Sequence, residues 1–345
     1  GATGHRLCVA LAPEPEIDGF PLVKFLKQRP HAGMKTTPAT AEDISRSVIA
    51  VPPLCRNADG SLSKSQNVKL VRHLYQGGIR TFLYGGNANL YHMAVSEYDP
   101  FLHMLWDLAP EDDVWMVPSV GPMFGTMMDQ AAILKDHPFP TAMILPTLFP
   151  AQPAGVATAV RRFVDKAGIP AVLYIKEEGY ITPDLAAELV ADGVISWIKY
   201  AVVREEPKKD PFLKKLLSKF DPAMVVSGIG EQPAITHLRD FKCGGFTAGC
   251  VCVAPQFSTD LLHAIQADDY ETAEELRALF EPLEDLRNKH SPILVLHHAV
   301  ELAGLAKTGP VQPLLDGLPE KLHARIEKAA SALLKKHAAR VKGMR

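Results

Sequence analysis

The sequence predicts an α/β protein with a TIM (β/α)8 barrel and a C-terminal helical appendix. Three observations lead to this fold class. Short apolar runs alternate with amphipathic stretches from residue 47, the runs are apolar on both faces, and the alternation repeats eight times before the chain turns helical. A doubly wound sheet also alternates strands and helices, but eight repeats favour a closed barrel.

The eight predicted strands are short apolar segments of the kind that a parallel sheet buries. In chain order they are Ser47–Pro52, Thr81–Tyr84, Val114–Pro118, Ala142–Leu145, Ala171–Tyr174, Ser196–Ala201, Ala223–Ser227 and Gly245–Ala248. The helices predicted between them include Ser65–Gln76, Gly155–Ala167, Pro183–Asp192 and Pro211–Phe220. Thr182 and Pro183 supply a cap residue and a first-turn proline, and Gly77-Gly78 ends the first helix.

The chain divides into three predicted regions. Residues 1–46 fit no strand–helix unit and are interpreted as an N-terminal extension or arm, residues 47–255 form the barrel, and residues 256–345 form a helical region. Four helices are predicted in that last region, namely Phe257–Ala267, Asp269–Lys289, Pro292–Ala303 and Leu318–His337. Acidic residues at 268, 269 and 271 favour the start of the second of these helices.

Composition and charge narrow the function classes. With 47% hydrophobic residues, 22% charged residues and a net charge of -2, the chain lacks the basic balance that nucleic-acid binding needs. The longest uncharged stretch, residues 138–160, is broken by several prolines, so no membrane partner is expected. Five cysteines show neither disulfide nor zinc spacing, and no secretory signal is visible. We therefore expect a cytoplasmic protein with no metal requirement.

Lys199 stands alone in an apolar predicted strand, and Tyr174 ends the strand before it. The reactive groups of this fold lie at the carboxyl ends of strands. A lysine in a low-dielectric interior has a depressed pKa, and its neutral amine can attack a ketone to form a Schiff base, with a tyrosine as proton shuttle. The structural alternatives are a lysine whose amine reaches water and a core tyrosine.

Several segments in order resemble the dihydrodipicolinate synthase / N-acetylneuraminate lyase family, over about residues 47 to 335. Pro170–Tyr174 and Ile198-Lys199 resemble the family's strand-five tyrosine and strand-six Schiff-base lysine. Arg80–Asn89 sits where the family has its Gly-Thr/Ser-Thr-Gly-Glu loop. The remaining similar segments are Val226–Gly228, Gly244–Gly249, Leu302–Leu305 and Pro310–Leu314.

The resemblance implies a TIM barrel and a role for each candidate residue. Lys199 is the nucleophile, Tyr174 is the proton shuttle, and the substrate is bound by Gly86, Asn87, Thr247 and Gly249. A glycine after a strand lets backbone N–H groups approach an anion closely, which suits Gly86 and Asn87 to the keto-acid carboxylate. No separate cofactor is expected, because the lysine imine is itself the electron sink. The resemblance also implies a homodimer or homotetramer.

The sequence departs from the family pattern at several of these positions. Gly86 lacks the hydroxyl of the loop threonine that relays protons, and Asn87 and Asn89 replace the second hydroxyl residue and the glutamate. The segment Pro146–Phe149 lacks a tyrosine that crosses a subunit interface in the synthase branch. No arginine follows the strand-five tyrosine, where Lys176 supplies only a point charge.

These departures favour a Schiff-base-forming lyase or aldolase acting on pyruvate or another 2-keto acid, rather than the lysine-pathway synthase itself. A keto-acid dehydratase or deaminase of the same family would use the same imine. Two further alternatives stay open: a non-catalytic keto-acid-binding barrel that has lost its relay residues, and a metal-dependent aldolase on the same fold.

Overall fold

The computed structural model describes residues 33–315 and 317–343. Most of the predicted N-terminal extension, residues 1–32, therefore lies outside the described residues. The remainder of that extension contains the short helix α1 (Ala41–Ser45), which begins at a capping box between Thr40 and Asp43. The division of the chain at residues 46 and 255 stays a prediction.

Nine parallel strands form one sheet. They are β1 (Ile49–Ala50), β2 (Thr81–Leu83), β3 (Trp115–Val117), β4 (Ser119–Val120), β5 (Ala142–Ile144), β6 (Ala171–Ile175), β7 (Ile195–Tyr200), β8 (Val225–Ser227) and β9 (Gly245–Ala248). The hydrogen-bonded order runs β3-β2-β1-β9-β8-β7-β6-β5-β4. The first and last strands in this order follow each other directly in the chain.

The sheet closes because β3 and β4 are two halves of one barrel strand, divided at Pro118. On one side the Tyr84 N–H donates to the Val117 carbonyl over 3.0 Å, and on the other the Met143 N–H donates to the Pro118 carbonyl over 2.9 Å. Counted by position around the barrel there are thus eight strands. The predicted TIM (β/α)8 barrel is confirmed.

Helices connect the strands and follow the last one. Besides α1 they are α2 (Lys64–Gln76), α3 (Val95–Leu108), α4 (Phe124–Leu134), α5 (Pro153–Ala167), α6 (Pro183–Ala191), α7 (Pro211–Leu217), α8 (Ala234–Arg239), α9 (Pro255–Gln266), α10 (Tyr270–Lys289), α11 (Pro292–Leu302) and α12 (Glu320–Gly343). Short 3-10 turns occupy Leu90–His92, Pro222–Met224 and Cys250–Cys252. In the part of the chain that is described, no helix is both long and apolar enough to cross a membrane.

Local chemistry explains where the elements begin and end. The Thr182 side chain accepts the Leu185 N–H over 3.2 Å with Pro183 in the first turn of α6, as predicted. Gly168 ends α5 in the left-handed region at φ 73°. The first strand is shorter than the predicted Ser47–Pro52, because its ladder to β2 covers only two residues before the chain reaches a proline, which has no N–H to donate.

Two apolar clusters form the core. The larger one fills the barrel and the layer between its strands and helices. The second joins the C-terminal helices through residues such as Phe257 of α9, Phe280 of α10, Val295 of α11 and Ile326 of α12. The predicted helical appendix is therefore present, and it packs as a small helical bundle.

Candidate active site

Tyr174 and Lys199 lie side by side near the carboxyl ends of β6 and β7. The parallel register pairs the two residues directly, so their side chains lie on the same face of the sheet. The Lys199 Nζ is 4.4 Å from the centroid of the Tyr174 ring. The structure thus brings together the two residues that the sequence selected for catalysis.

Lys199 is a buried amine, with 4% of its surface exposed. Burial, together with the positive charges of Lys176 and Arg287, lowers the pKa of Lys199 from 10.5 to about 7. Its Nζ has no hydrogen-bond or ion-pair partner within residues 33–315 and 317–343. Gly228 leaves room for the lysine stem, since a β-carbon there would lie 2.9 Å from the Lys199 Cγ. A substantial fraction of this amine is therefore neutral and available near neutral pH.

Tyr174 belongs to a group of three buried or partly buried tyrosines. Burial raises the pKa of Tyr174 above its usual value of 10, nearby Tyr91 raises it further, and the charge of Arg287 opposes both. Burial likewise raises the pKa of Tyr91 to about 12. Tyr91 also raises the pKa of Tyr180, which follows β6. The sequence patterns did not indicate Tyr91 or Tyr180 as site residues, although Tyr91 is only five residues after Gly86.

The loop after β2 holds Gly86 and Asn87 at the mouth of the barrel. The Asn87 Nδ2 donates to the Val51 carbonyl over 2.9 Å, and its Oδ1 accepts from the Arg287 Nη2 over 3.2 Å. The His297 Nε2–H donates to the Asn87 carbonyl over 2.9 Å. Asn87 thus fixes the loop to three other parts of the chain, two through its side chain and one through its carbonyl. Gly86 keeps its backbone open, because the nearest atom to a β-carbon there would be the Tyr91 Cε2 at 3.7 Å.

Thr247 and Gly249 lie at the end of β9. Thr247 is buried and pairs with Ile49 of β1, and within the described ranges its hydroxyl has no hydrogen-bond partner. Gly249 faces the Arg287 guanidinium, since a β-carbon at residue 249 would lie 2.7 Å from the Arg287 Cζ. Gly249 therefore meets the same arginine as Asn87 does. No signal in the sequence connected Arg287, in α10, with this loop.

Two buried glutamates lie behind Arg287. The Glu231 N–H donates to the Glu284 Oε1 over 2.9 Å, and the Ser258 hydroxyl donates to the Glu231 Oε1 over 2.7 Å. Burial raises the pKa of Glu231, and burial together with the charge of Glu231 raises that of Glu284 strongly. Burial and mutual repulsion therefore favour a single negative charge on the pair over two.

Other ionisable residues near the site lie at the rim of the barrel mouth or in the protein core. Lys176 is exposed, so it influences Lys199 only as a nearby point charge. Glu178 is exposed and forms an ion pair with Arg204, which is typical of a polar rim. His297 is a core histidine, and burial lowers its pKa to about 4.

No family model matches this sequence, and no curated protein matches it significantly. Solved structures do match. Dihydrodipicolinate synthase from Oceanobacillus iheyensis has a TM-score of 0.74 at 20% identity, over 85% of this chain and 97% of that one. Sialic acid aldolase from Ruminococcus gnavus has a TM-score of 0.75 at 14% identity, over 86% of this chain and 99% of that one.

A third match is a prophage protein of the dihydrodipicolinic acid synthase family from E. coli K12, solved in complex with pyruvate. Its TM-score is 0.72 at 17% identity, over 83% of this chain and 98% of that one. Identities of this size establish a shared architecture. The chain therefore has the fold of the dihydrodipicolinate synthases and sialic acid aldolases, a TIM barrel followed by a C-terminal helical region.

Proposed function

We propose that this protein is a Schiff-base-forming lyase or aldolase that acts on pyruvate or another 2-keto acid. The observation that supports this most directly is the contact between the buried amine of Lys199 and the ring of Tyr174 at the carboxyl end of the barrel. The structural neighbours are a synthase, an aldolase and a pyruvate complex, which is consistent with chemistry on keto acids.

The reaction begins when the neutral Lys199 nitrogen forms a bond to the ketone carbon C2. The C2–O π electrons become an alkoxide, which takes a proton from the Tyr174 hydroxyl, and the nitrogen loses its extra proton. A second protonation lets the hydroxyl leave as water, which gives an iminium. In a 4-hydroxy-2-keto acid the iminium then accepts the electron pair of the C3–C4 bond while the C4 hydroxyl returns a proton to the Tyr174 oxygen. An aldehyde therefore leaves, the enamine is protonated at C3, and water hydrolyses the resulting imine to free Lys199.

Tyr91 supplies a second hydroxyl for these proton transfers. Gly86 has no side chain where the family pattern has a threonine, and the ring of Tyr91 lies next to this open position. Tyr91 is also close enough to raise the pKa of Tyr174. We therefore assign the relay to Tyr174 and Tyr91, with substrate contacts at Gly86, Asn87, Thr247 and Gly249.

Incubation with pyruvate and borohydride tests the central step. Reduction should leave a stable mass increase on Lys199, located by peptide mapping, because borohydride converts the imine to a secondary amine. Lys199→Arg should fold normally and show neither the adduct nor turnover, since arginine stays charged. Lys166→Arg, at an exposed position in α5, is the matched control and should behave as wild type. Near-normal turnover by Lys199→Arg would refute the nucleophile assignment.

The trapping experiment, a chelator test and a substrate panel together distinguish the alternative functions. Measurable pyruvate binding without reduction at Lys199 would indicate a non-catalytic keto-acid-binding barrel, and activity abolished by a chelator would indicate a metal-dependent aldolase. A panel of sugar-derived, hydroxylated and aminated keto acids distinguishes aldolase from dehydratase and deaminase activity, because all three share the imine and differ in the bond that is cleaved.

The proposal extends to assembly and location. We infer a homodimer or homotetramer, supported by exposed apolar residues around the barrel mouth, including Phe149 with 85% of its surface exposed. We infer a cytoplasmic location, supported by buried free thiols at Cys55, Cys243, Cys250 and Cys252.

A further inference from the structure

Arg287 is a buried cation without an ion-pair partner. It lies near the end of α10 with 8% of its surface exposed, and within residues 33–315 and 317–343 no carboxylate forms an ion pair with it. Burial of an unpaired guanidinium is costly, so such a residue needs a countercharge. Arg287 is therefore a candidate binding group for an anionic ligand.

The hydrogen bonds of Arg287 leave part of its donor capacity free. A guanidinium has five N–H groups. In this site Nε donates to the Pro292 carbonyl and Nη2 donates to the Asn87 Oδ1, both over 3.2 Å. The first bond fixes the arginine to its own helix end, and the second joins it to the loop that was predicted to bind the carboxylate.

Gly249 is what lets the guanidinium enter the barrel mouth. A β-carbon at this residue would lie 2.7 Å from the Arg287 Cζ and Nη2 and 2.8 Å from Nη1, all closer than real β-carbons approach such atoms. The arginine therefore lies directly over the end of β9. Its charge reaches both catalytic candidates, because it lowers the pKa of Lys199 and of Tyr174.

The nearest buried acids do not neutralise Arg287 by direct contact. Glu231 and Glu284 are engaged with each other and with Ser258, and burial and mutual repulsion favour a single negative charge on the pair over two. That charge offsets part of the cost of burying Arg287 when the site is empty. It does not occupy the donors on the side of the Asn87 loop.

We propose that Arg287 completes the carboxylate cradle, so that the 2-keto acid is bound through a guanidinium–carboxylate pair together with the backbone of Gly86 and Asn87. The inference rests on the proposed function for the identity of the anion. The Arg287 guanidinium would also replace the hydroxyl donors that the loop lacks, because its planar group can donate two parallel hydrogen bonds to one carboxylate.

The test compares pyruvate with its neutral amide, pyruvamide, as borohydride-trapped ketones. In the wild-type protein pyruvate should half-saturate trapping at a much lower concentration than pyruvamide. Arg287→Gln should raise the value for pyruvate about 10- to 100-fold and leave that for pyruvamide nearly unchanged, since only the carboxylate meets the guanidinium. Arg287→Lys keeps the charge without the planar guanidinium, so its half-saturating concentration of pyruvate should lie between those of wild type and Arg287→Gln. An equal loss for both ketones would mean a structural role and would overturn the proposal.

A second variant moves the arginine without removing it. Gly249→Ala should displace the guanidinium and reproduce the selective loss for pyruvate. Gly155→Ala in α5, where a β-carbon meets nothing within 4 Å, is the control and should leave both ketones unaffected. If Arg287→Gln fails to fold, Gly249→Ala alone decides, and unchanged pyruvate affinity in that variant would contradict the cradle.

Calorimetric binding of pyruvate separates this inference from the proposed function. If wild-type protein binds pyruvate but Lys199 is never reduced, and Arg287→Gln abolishes binding, the cradle stands and the imine chemistry fails. If wild type and Arg287→Gln bind pyruvate equally, Arg287 is not a carboxylate ligand, whatever happens at Lys199.

Discussion

At the residue scale, the chemistry of this site follows from the surroundings of a single amine. Lys199 occupies an apolar strand, so its charged form lacks the water that would stabilise it. Two cations, Lys176 and Arg287, disfavour the charged form further. A neutral amine is a nucleophile, and an ammonium is not. In the proposed reaction, burial therefore activates this lysine as an adjacent base activates a serine nucleophile.

The pH dependence of imine formation should report this pKa. The rate should rise with pH, reach half of its maximum near pH 7 and then level, because only the neutral amine attacks. Lys176→Gln removes one of the two cations and should shift the midpoint upward by a fraction of a unit, since Lys176 is exposed and its effect is screened. Lys166→Gln, at the opposite end of the barrel, should leave the midpoint unchanged. A midpoint near 10 in the wild type would contradict the nucleophile assignment.

At the scale of elements, register decides which residues meet. The pairing of β6 with β7 places Tyr174 beside Lys199, and a shift by one residue would turn one of them out of the barrel. The same pairing sets Val172 beside Trp197 and Ile175 beside Tyr200. Paired residues before and after the two catalytic candidates therefore hold them in register.

The cap of α6, the helix between these two strands, offers a test of local stability. Thr182→Ala removes the side-chain acceptor of the Leu185 N–H and should lower the free energy of unfolding by about 1 kcal/mol. Thr158→Ala, within α5 and exposed, should change it by less than about 0.5 kcal/mol. Urea unfolding followed by circular dichroism measures both. Equal effects of the two substitutions would argue against the cap.

At the scale of the whole molecule, the buried Glu231–Glu284 pair connects the loop after β8 with α10. Glu284 has a native-state pKa above its usual 4.5, so the native state binds more protons than the unfolded state in the window above that value. Stability therefore falls as pH rises through this window. The pair favours the native state most at acid pH, where both carboxyls are neutral.

Glu284→Gln should remove the part of this pH dependence that Glu284 contributes. The amide imitates the protonated carboxyl and can still accept the Glu231 N–H, so we expect the variant to be at least as stable as wild type at pH 7. Its advantage should shrink as pH falls towards 4.5. Thermal unfolding across this range measures the effect, with Glu275→Gln on the exposed side of α10 as control. An advantage that grows at low pH would reverse the assigned direction of the shift.

The apolar rim offers a test of assembly. A cavity of about 520 Å³ lies between the loops after β4 and β5, lined by residues such as Met123, Phe124 and Tyr180, and Phe149 projects nearby. Phe149→Asp should weaken self-association and lower the sedimentation coefficient, because a charge cannot be buried in an apolar interface without cost. Leu314→Ser, at an equally exposed position in the C-terminal region, should leave it unchanged. A monomeric wild-type protein would exclude the predicted homo-oligomer.

The sequence alone predicted most of the strands and helices and selected Lys199 and Tyr174 as the candidate catalytic pair. Apolar runs of strand length alternating with amphipathic stretches predict eight barrel strands, because each strand must be buried on both faces. Lys199 and Tyr174 were identifiable because the active site of such a barrel lies at strand ends, and a lone lysine in an apolar strand is conspicuous there. The cap at Thr182 is equally local and forms as predicted, whereas Asp269, predicted as the first residue of its helix, is instead the N-cap.

The surroundings of that pair depend on the tertiary structure. The fold divides the third strand at Pro118 and places Arg287 over Gly249, although those two residues lie in different predicted regions of the chain. It also committed the Asn87 side chain to Val51 and Arg287. Periodicity and local spacing describe residues within a few turns of one another. Contacts between a barrel loop and a C-terminal helix depend instead on how complete elements pack, which no local pattern records.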